Sequence, residues 1–421
     1  MPEATGKQGP LAGIRVLELA HVMAGPTCGR ILADLGAEVI KLERLEGEDC
    51  RRMAPPWVGE EAASFLMLNR NKQAVAANLK TADGREILRR LALDSDVLIE
   101  NFRPGTMEKF GAGYDELAKQ NPALIYCAIS GFGRTGPYAR RGGFDLVAQA
   151  MSGVMSVTGE NSESPPIKAG VPISDVGAGL YAVIGILAAL ESRHKTGRGQ
   201  QVDTSLFEAA VSFMSWPIAM QLASGEAPPP LGSAHPLDAP YQAFEASDGW
   251  FVVAAANQAN WLRLVEVLGE PGLLEDSRFA DNPDRVANQD ALIEVLKPIF
   301  KQRPKDEWMV KLEGAGIPCG PINSVADVLE DPQLAARGML CDTWHRDLGP
   351  LKTLNTPLTF SASQLNQRHG APALGEDTVA ILRRAGFSAS DIQEMLERGS
   401  IHVSETSTDS AKSTARARGQ A

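Results

Sequence analysis

Between residues 14 and 130 the chain alternates short apolar runs of strand character with amphipathic runs of about ten residues, a pattern few folds accommodate. Residues 14–19 (Ile-Arg-Val-Leu-Glu-Leu) read as a strand, 27–35 as a helix and 37–42 as a second strand, with Gly36 where a helix C-terminus favours glycine. A strand over 74–79, a helix over 84–93, a strand over 97–99, a helix over 114–120 and a strand over 124–129 continue the series. Such alternation makes βαβ units around a mostly parallel, doubly wound sheet, so the expected class is α/β with a Rossmann-like large domain.

A chain of 421 residues exceeds one ordinary core, and a second domain is expected. After a strand at 201–203 and a helix from 204, the pattern breaks at Glu226, where three consecutive prolines (228–230) make a stiff linker. Beyond it, 241–244 and 250–255 flank a Ser247-Asp-Gly turn and read as a hairpin, followed by helices near 259–268, 287–301 and 304–314. This sets a small α+β domain at 225–330 apart from 1–224. Another change falls near 317–345, two amphipathic helices follow within 376–398, and 404–421 is expected to be a disordered tail.

A net charge of −11 argues against nonspecific binding to nucleic acid or anionic membrane. The five cysteines (Cys28, Cys50, Cys127, Cys319, Cys341) are scattered and odd in number, as reduced thiols are, and no metal-ligand spacing is visible among the six histidines. The polar first residues carry no signal-peptide core, so a cytoplasmic location is expected.

The longest apolar run, 176–190, follows directly on Asp175 and contains Gly177 and Gly179 near its start. Its 15 residues are short for a bilayer, and a buried helix is the better reading. Asp at such a position is ordinarily a helix cap; a carboxylate beside unpaired amides and small residues also suits a nucleophile in a dry pocket. The two glycines need a reason, either close packing or approach of a ligand.

Gly131-Phe-Gly-Arg-Thr-Gly136 matches a dinucleotide fingerprint, but Pro137-Tyr-Ala-Arg-Arg follows where a helix should begin. The bland reading is a turn with Arg134, Arg140 and Arg141 nearby. Arg44, Lys80, Arg103 and Lys109 fall at or just beyond strand ends, where doubly wound sheets bind ligands; together they suit a phosphate-bearing nucleotide such as coenzyme A.

These features occur within a longer ordered series: Leu11-Ala-Gly-Ile-Arg-Val-Leu-Glu-Leu, His21-Val-Met-Ala-Gly-Pro, Ala37-Glu-Val-Ile-Lys-Leu-Glu-Arg and Glu100-Asn-Phe-Arg-Pro-Gly. Gly143-Phe-Asp-Leu-Val-Ala-Gln-Ala-Met-Ser-Gly, Val171-Pro-Ile-Ser-Asp, His194-Lys-Thr-Gly-Arg-Gly-Gln, Gly316-Ile-Pro-Cys-Gly-Pro-Ile and Leu374-Gly-Glu-Asp-Thr complete it. From about Leu11 to Val403 the chain resembles the family III CoA-transferases, the CaiB/BaiF superfamily. The resemblance implies that Asp175 is the nucleophile. It also implies CoA contacts at Met23, Ala24, Arg44, Ala77, Asn78, Leu79, Lys80, Asn101, Phe102, Arg103, Lys109, Gly142, Gly143, Phe144 and Asp145. It implies no metal and no cofactor beyond the CoA thioester substrate. The expected assembly is an interlocked homodimer, with a large domain built from both chain ends (331–403 returning to it) and an active site between domains of different subunits.

Two departures narrow the resemblance. Formyl-CoA transferase has Gln where Met23 stands, and its glycine-run loop is missing here; 232–244 instead looks like the succinyl-CoA:glutarate-type enzymes. The expected activity is CoA transfer from succinyl-CoA to a small dicarboxylic acid through an aspartyl anhydride and an aspartyl-CoA thioester. The alternatives are a 2-methylacyl-CoA racemase of the same fold, an NAD-dependent oxidoreductase using 131–136, and a noncatalytic CoA-binding subunit. Racemases of the superfamily carry His where this chain has Phe144, and phenylalanine holds no proton. His235, within 232–244, is a candidate for meeting the acceptor carboxylate, weighed against a surface turn histidine.

Overall fold

The computed structural model describes residues 8–365 and 369–404. The described residues fall into two compact units, within Met1–Val154, Ala169–Ser215 and Ala335–Ala421 for one and Met155–Lys168 and Trp216–Leu334 for the other. These divisions do not fall at 224 and 330. Residues 155–168 leave the large unit because the Gly232 N–H donates to the Gly159 carbonyl at 2.8 Å, tying that excursion to the segment beyond the prolines. All but Ser404 of the tail 404–421 lies outside the described residues.

The large unit carries β1 (Arg15–Glu18), α1 (Ala24–Asp34), β2 (Glu38–Glu43), β3 (Lys72–Ala77), α2 (Ala82–Leu93), β4 (Val97–Glu100) and β5 (Ile125–Ser130). It continues with α3 (Asp145–Met151), α4 (Ile173–Thr196), β6 (Gln201–Ser205), α5 (Leu206–Phe213) and, near the end, β7 (Ile401–His402). The sheet order is β7-β3-β2-β1-β4-β5-β6; only β7 runs antiparallel, at the edge. Successive residues along each strand point to opposite faces. Val16, Val39, Ile99 and Ile125 meet α1 and α4 on one side, and Leu17, Ile40, Leu98 and Tyr126 meet α2 and the helices Thr378–Arg384 and Ala389–Glu397 on the other. Both faces are covered, as a parallel sheet requires.

Three boundaries differ from expectation. The first helix opens at Ala24, ahead of Pro26, because proline in a first turn sacrifices no helical hydrogen bond. β3 ends at Ala77, so Asn78, Leu79 and Lys80 form the turn that leads to Thr81, whose hydroxyl caps α2 through the Gly84 N–H at 3.1 Å. α4 runs for 24 residues, length and composition that would reach across a bilayer, with half of its apolar window buried in the unit. Its small residues have the packing reason the sequence asked for. A Cβ on Gly179 would stand 2.7 Å from the Ala24 carbonyl oxygen, so α4 lies directly against the first turn of α1.

In the small unit, strands Tyr241–Ala246 and Gly249–Ala254 form the expected hairpin, and Cys319–Pro321 pairs antiparallel to the second. Its core is aromatic: Phe244, Phe251, Trp261, Phe300 and Trp308 are buried together. His235 is no bare surface turn; its ring lies 5.0 Å from Tyr241 and 5.4 Å from Trp216, and its Nδ1 is 3.2 Å from Asp238.

Candidate active site

The strand order reverses at β1, whose sequence neighbours lie on one side and β4 on the other. In open α/β sheets this switch point leaves a crevice beyond the strands' carboxyl ends. Here a cavity of about 260 Å³ occupies it. The segment after β1 supplies His21, Val22 and Met23; the segment after β4 supplies Asn101, Phe102, Arg103 and Pro104. The two are bridged by one side chain. The Asn101 amide accepts from the His21 N–H and donates to the His21 carbonyl, both at 2.8 Å. The end of β5 (Ile129, Ser130) with Gly131, the segment Arg141–Phe144, and Leu206 form further walls, and Asp175 completes the lining.

Asp175 does not cap its helix. α4 begins at Ile173, after Pro172, and Asp175 lies in its first turn. The cap comes from another element: Asp145 Oδ1 accepts from the Ser174 N–H at 2.9 Å, while its Oδ2 accepts from the Gln149 amide at 2.7 Å. Asp175 is thereby released from capping duty and points instead at α1. The Ala24 N–H faces its carboxylate and draws the pKa down, at the start of a helix whose N-cap residue, Met23, makes no side-chain cap bond. Orphan amides and the helix dipole at that end favour an anion. Burial nevertheless outweighs them: it raises the Asp175 pKa from 3.8 to about 6, the Asp145 charge adds to the rise, and the Ala24 N–H opposes it.

The glycines of 131–136 serve a different end from a dinucleotide loop. A Cβ on Gly131 would lie 2.7 Å from the Gly143 Cα, and one on Gly143 would lie 2.5 Å from the Gly131 Cα, so two backbone segments cross there. No helix starts until Asp145. Arg134 is committed to Glu100 (3.1 Å) and Glu108 (2.5 Å). Arg103 and Arg141 stay exposed at the cavity, and Phe144 presents a ring 78% exposed on its rim. Burial and the Lys41 charge push the His21 pKa below 6.5, which keeps its ring neutral at pH 7.

The cavity therefore gathers Met23, Asn101, Phe102, Arg103, Gly142, Gly143, Phe144 and Asp175, with Asp145 bonded to the start of α4 and Ala24 at the start of α1 beside it. Arg44, Ala77–Lys80 and Lys109 are not in its lining. Arg44 follows β2, bonded to the Gly47 carbonyl and paired with Asp49; Ala77 is buried at the end of β3, and Lys80 is exposed. Lys109 lines a separate shallow depression with Arg85, Glu86 and Arg89. His21, Val22 and Ser130 line the site without having been named as contacts from sequence, where position beside a strand end was the available signal, and Arg141, read there as a cation near the 131–136 turn, lines it as well.

A doubly wound sheet with a carboxylate and two exposed arginines at its switch point defines an enzyme site for an anionic, partly apolar substrate. The comparisons with known proteins specify which. Residues 11–378 match the model of CoA-transferase family III, and the chain belongs to that family of enzymes. It is 37% identical to the succinyl-CoA:glutarate CoA-transferase of Homo sapiens, over 94% of this chain and 91% of that one. With the acetyl-CoA:oxalate CoA-transferase of Acetobacter aceti it shares 39% identity over 91% of this chain and 97% of that one. The crystal structure of a CAIB/BAIF family protein from Brucella suis superposes with a TM-score of 0.82 at 44% identity, covering 90% of this chain and 100% of that one.

Proposed function

We propose that this CoA-transferase moves CoA from succinyl-CoA to a small dicarboxylic acid, with Asp175 as nucleophile. The observation that carries the reading is a carboxylate that lines the switch-point cavity while a different residue, Asp145, caps its helix. A carboxylate is a weak nucleophile in water, and a thioester carbonyl is a good electrophile once both are desolvated. An Asp175 oxygen attacks the acyl carbon, the C–S bond breaks, and CoA thiolate leaves an aspartyl–acyl anhydride. The thiolate attacks the Asp175 carbonyl and expels succinate, giving an aspartyl-CoA thioester. The acceptor carboxylate attacks that thioester, and the returning thiolate takes the acyl group from the new anhydride, which restores Asp175 and yields the new acyl-CoA. Each step trades one activated acyl bond for another, so the exchange draws on the thioester's own free energy. The Ala24 N–H and its neighbours at the start of α1 are placed to favour negative charge beside Asp175.

The CoA assignment extends to the positions outside the cavity. In this reading the acyl end and the pantetheine arm occupy the cavity, while Arg103 and the cations beyond β2 and β3, Arg44 and Lys80, receive phosphates. The dicarboxylate preference rests on 232–244 and on the human relative's substrate; the Acetobacter relative keeps oxalate among the acceptors to test. We also assign a homodimer. α4 presents Leu180, Tyr181, Ile184 and Leu187 to solvent along one face, an apolar stripe suited to a second copy.

The test is incubation with succinyl-CoA and a panel of acids, with new CoA esters followed by mass spectrometry. CoA transfer to one or more dicarboxylates is expected. Loss of stereochemistry from a 2-methylacyl-CoA, with no acid gaining CoA, would assign the site to racemisation instead.

A further inference from the structure

The backbone around Val22 is clamped by charges that the reaction scheme does not use. Val22 has φ = 64°, the left-handed region, where a β-branched side chain is strained. That conformation turns the chain from the end of β1 into α1 within a few residues. It also sets where the first amide of the helix, that of Ala24, points. Four side chains, all fully buried, hold the turn in place. Glu48 accepts from the Val22 N–H at 2.6 Å through Oε2, and its Oε1 lies 2.8 Å from Lys41 Nζ. Lys41 donates to the Ala20 carbonyl at 2.9 Å and pairs with Glu18 at 2.9 Å. Lys72 pairs with Glu18 at 2.8 Å and donates to the Pro26 carbonyl at 3.1 Å. The backbone is thus gripped before, at and after Val22.

Burying two acids and two bases is a poor way to gain stability, since desolvation consumes most of the attraction and apolar residues of like volume do as well. What this set supplies that apolar residues cannot is direction, because Glu48, Lys41 and Lys72 each end on a backbone group of one active-site turn and Glu18 ties the two lysines together. We propose that Glu48 is a positioning residue: by holding the Val22 N–H it keeps the left-handed turn that presents the Ala24 amide to Asp175. The inference rests on Asp175 acting as the nucleophile. Glycine at position 22 takes up a positive φ without steric penalty, so it needs this grip less. The requirement for Glu48 is therefore coupled to the identity of residue 22.

The experiment is a double-mutant cycle on the full-length enzyme with Glu48→Gln and Val22→Gly, using succinyl-CoA and an accepted dicarboxylate. A carboxamide at 48 must turn an NH2 group toward either the Val22 N–H or the Lys41 ammonium, so it cannot satisfy both. The expected result is a fall in kcat of about thirtyfold with KM for succinyl-CoA within about threefold, the split produced when a transition-state contact is lost. The acid limb of the rate profile is expected to move to higher pH, because the Ala24 N–H that lowers the Asp175 pKa has been misdirected. In the Val22→Gly background the same substitution is expected to cost at least about fivefold less. Should Glu48→Gln not fold, Glu48→Asp, shorter by one methylene and still charged against Lys41, is expected to give the same three signs. A kcat within twofold of wild type in a folded variant, an unmoved acid limb, or an equal loss in both backgrounds overturns the assignment. Hydroxylamine trapping of the wild type separates the two levels. No adduct at Asp175 removes the nucleophile and this inference together, whereas a normal adduct rate in Glu48→Gln removes only the role of Glu48.

Discussion

Replacing Asp175 by Asn should abolish transfer and at the same time make the protein more stable. The carboxyl pKa rises from 3.8 to about 6 on folding, chiefly through burial and then through the Asp145 charge. Over that window the folded chain retains a proton that the unfolded chain has already lost. Stability contributed by the protonated group is complete below the unfolded value, drains away as pH rises, and is gone above about 6. At about 1.4 kcal/mol per pH unit the full penalty is about 3 kcal/mol, lowered to about 2 by water reaching a half-buried group. Asparagine is neutral throughout and still offers the Ala24 N–H an acceptor. The variant should therefore gain about 2–3 kcal/mol over wild type at pH 7.5 and about 1 kcal/mol at pH 4.5. At about 2 °C per kcal/mol for a unit of this size, Tm should rise by about 4–6 °C at pH 7.5 and by about 2 °C at pH 4.5. Calorimetric scans at both pH values, at one protein concentration, read this directly. A variant no more stable than wild type at pH 7.5, or a gain that does not grow with pH, would refute the claim that Asp175 is held against its environment. Sites built for chemistry commonly sacrifice stability in this way.

Other consequences are checked as readily. Because attack needs the carboxylate, kcat/KM should climb with pH to near 6 and then level, and Asp145→Asn, which keeps the Ser174 cap acceptor but removes a neighbouring charge, should move that limb to lower pH. Gly179→Ala places a methyl 2.7 Å from the Ala24 carbonyl; overpacking of about 1–3 kcal/mol should outweigh the helix-propensity gain of about 1 kcal/mol, with adduct formation at Asp175 slowed about tenfold. Asn101→Ala removes both bonds of the bridge between the His21 and Asn101 segments, and KM for succinyl-CoA should rise about tenfold, by steady-state kinetics.

The sheet was legible in the sequence because both of its signals are local. Strand and helix periodicities alternate along 14–130, and residues such as Val16 and Leu17 declare by adjacency that both faces are covered. Asp175 was legible through its motif and the small residues behind it. What escaped depends on elements distant in sequence. That Asp145 caps α4, freeing Asp175, joins positions 29 residues apart. That Gly131 and Gly143 are small because two backbones cross there shows only when the crossing is seen. The pairing of Glu18, Lys41 and Lys72 on neighbouring strands with Glu48 beyond β2 likewise joins residues that nothing local in the sequence connects. Of the cations expected at strand ends, Arg44 and Arg103 follow theirs closely, Lys80 lies in the turn beyond β3 and Lys109 in the helical turn Thr106–Lys109, and of the four Arg103 lines the cavity. Neighbouring strands are about 4.8 Å apart, so the end of β3, two strands from β1, opens onto a different stretch of surface.

The central claim is that Asp175 carries the acyl group and then CoA. Hydroxylamine added to enzyme and succinyl-CoA, followed by peptide mass spectrometry, tests it most directly. A hydroxamate is expected on the Asp175 peptide, formed only after succinyl-CoA is added and missing in Asp175→Ala. A hydroxamate on another residue, or an Asp175→Ala enzyme that still transfers CoA at the wild-type rate, would contradict it.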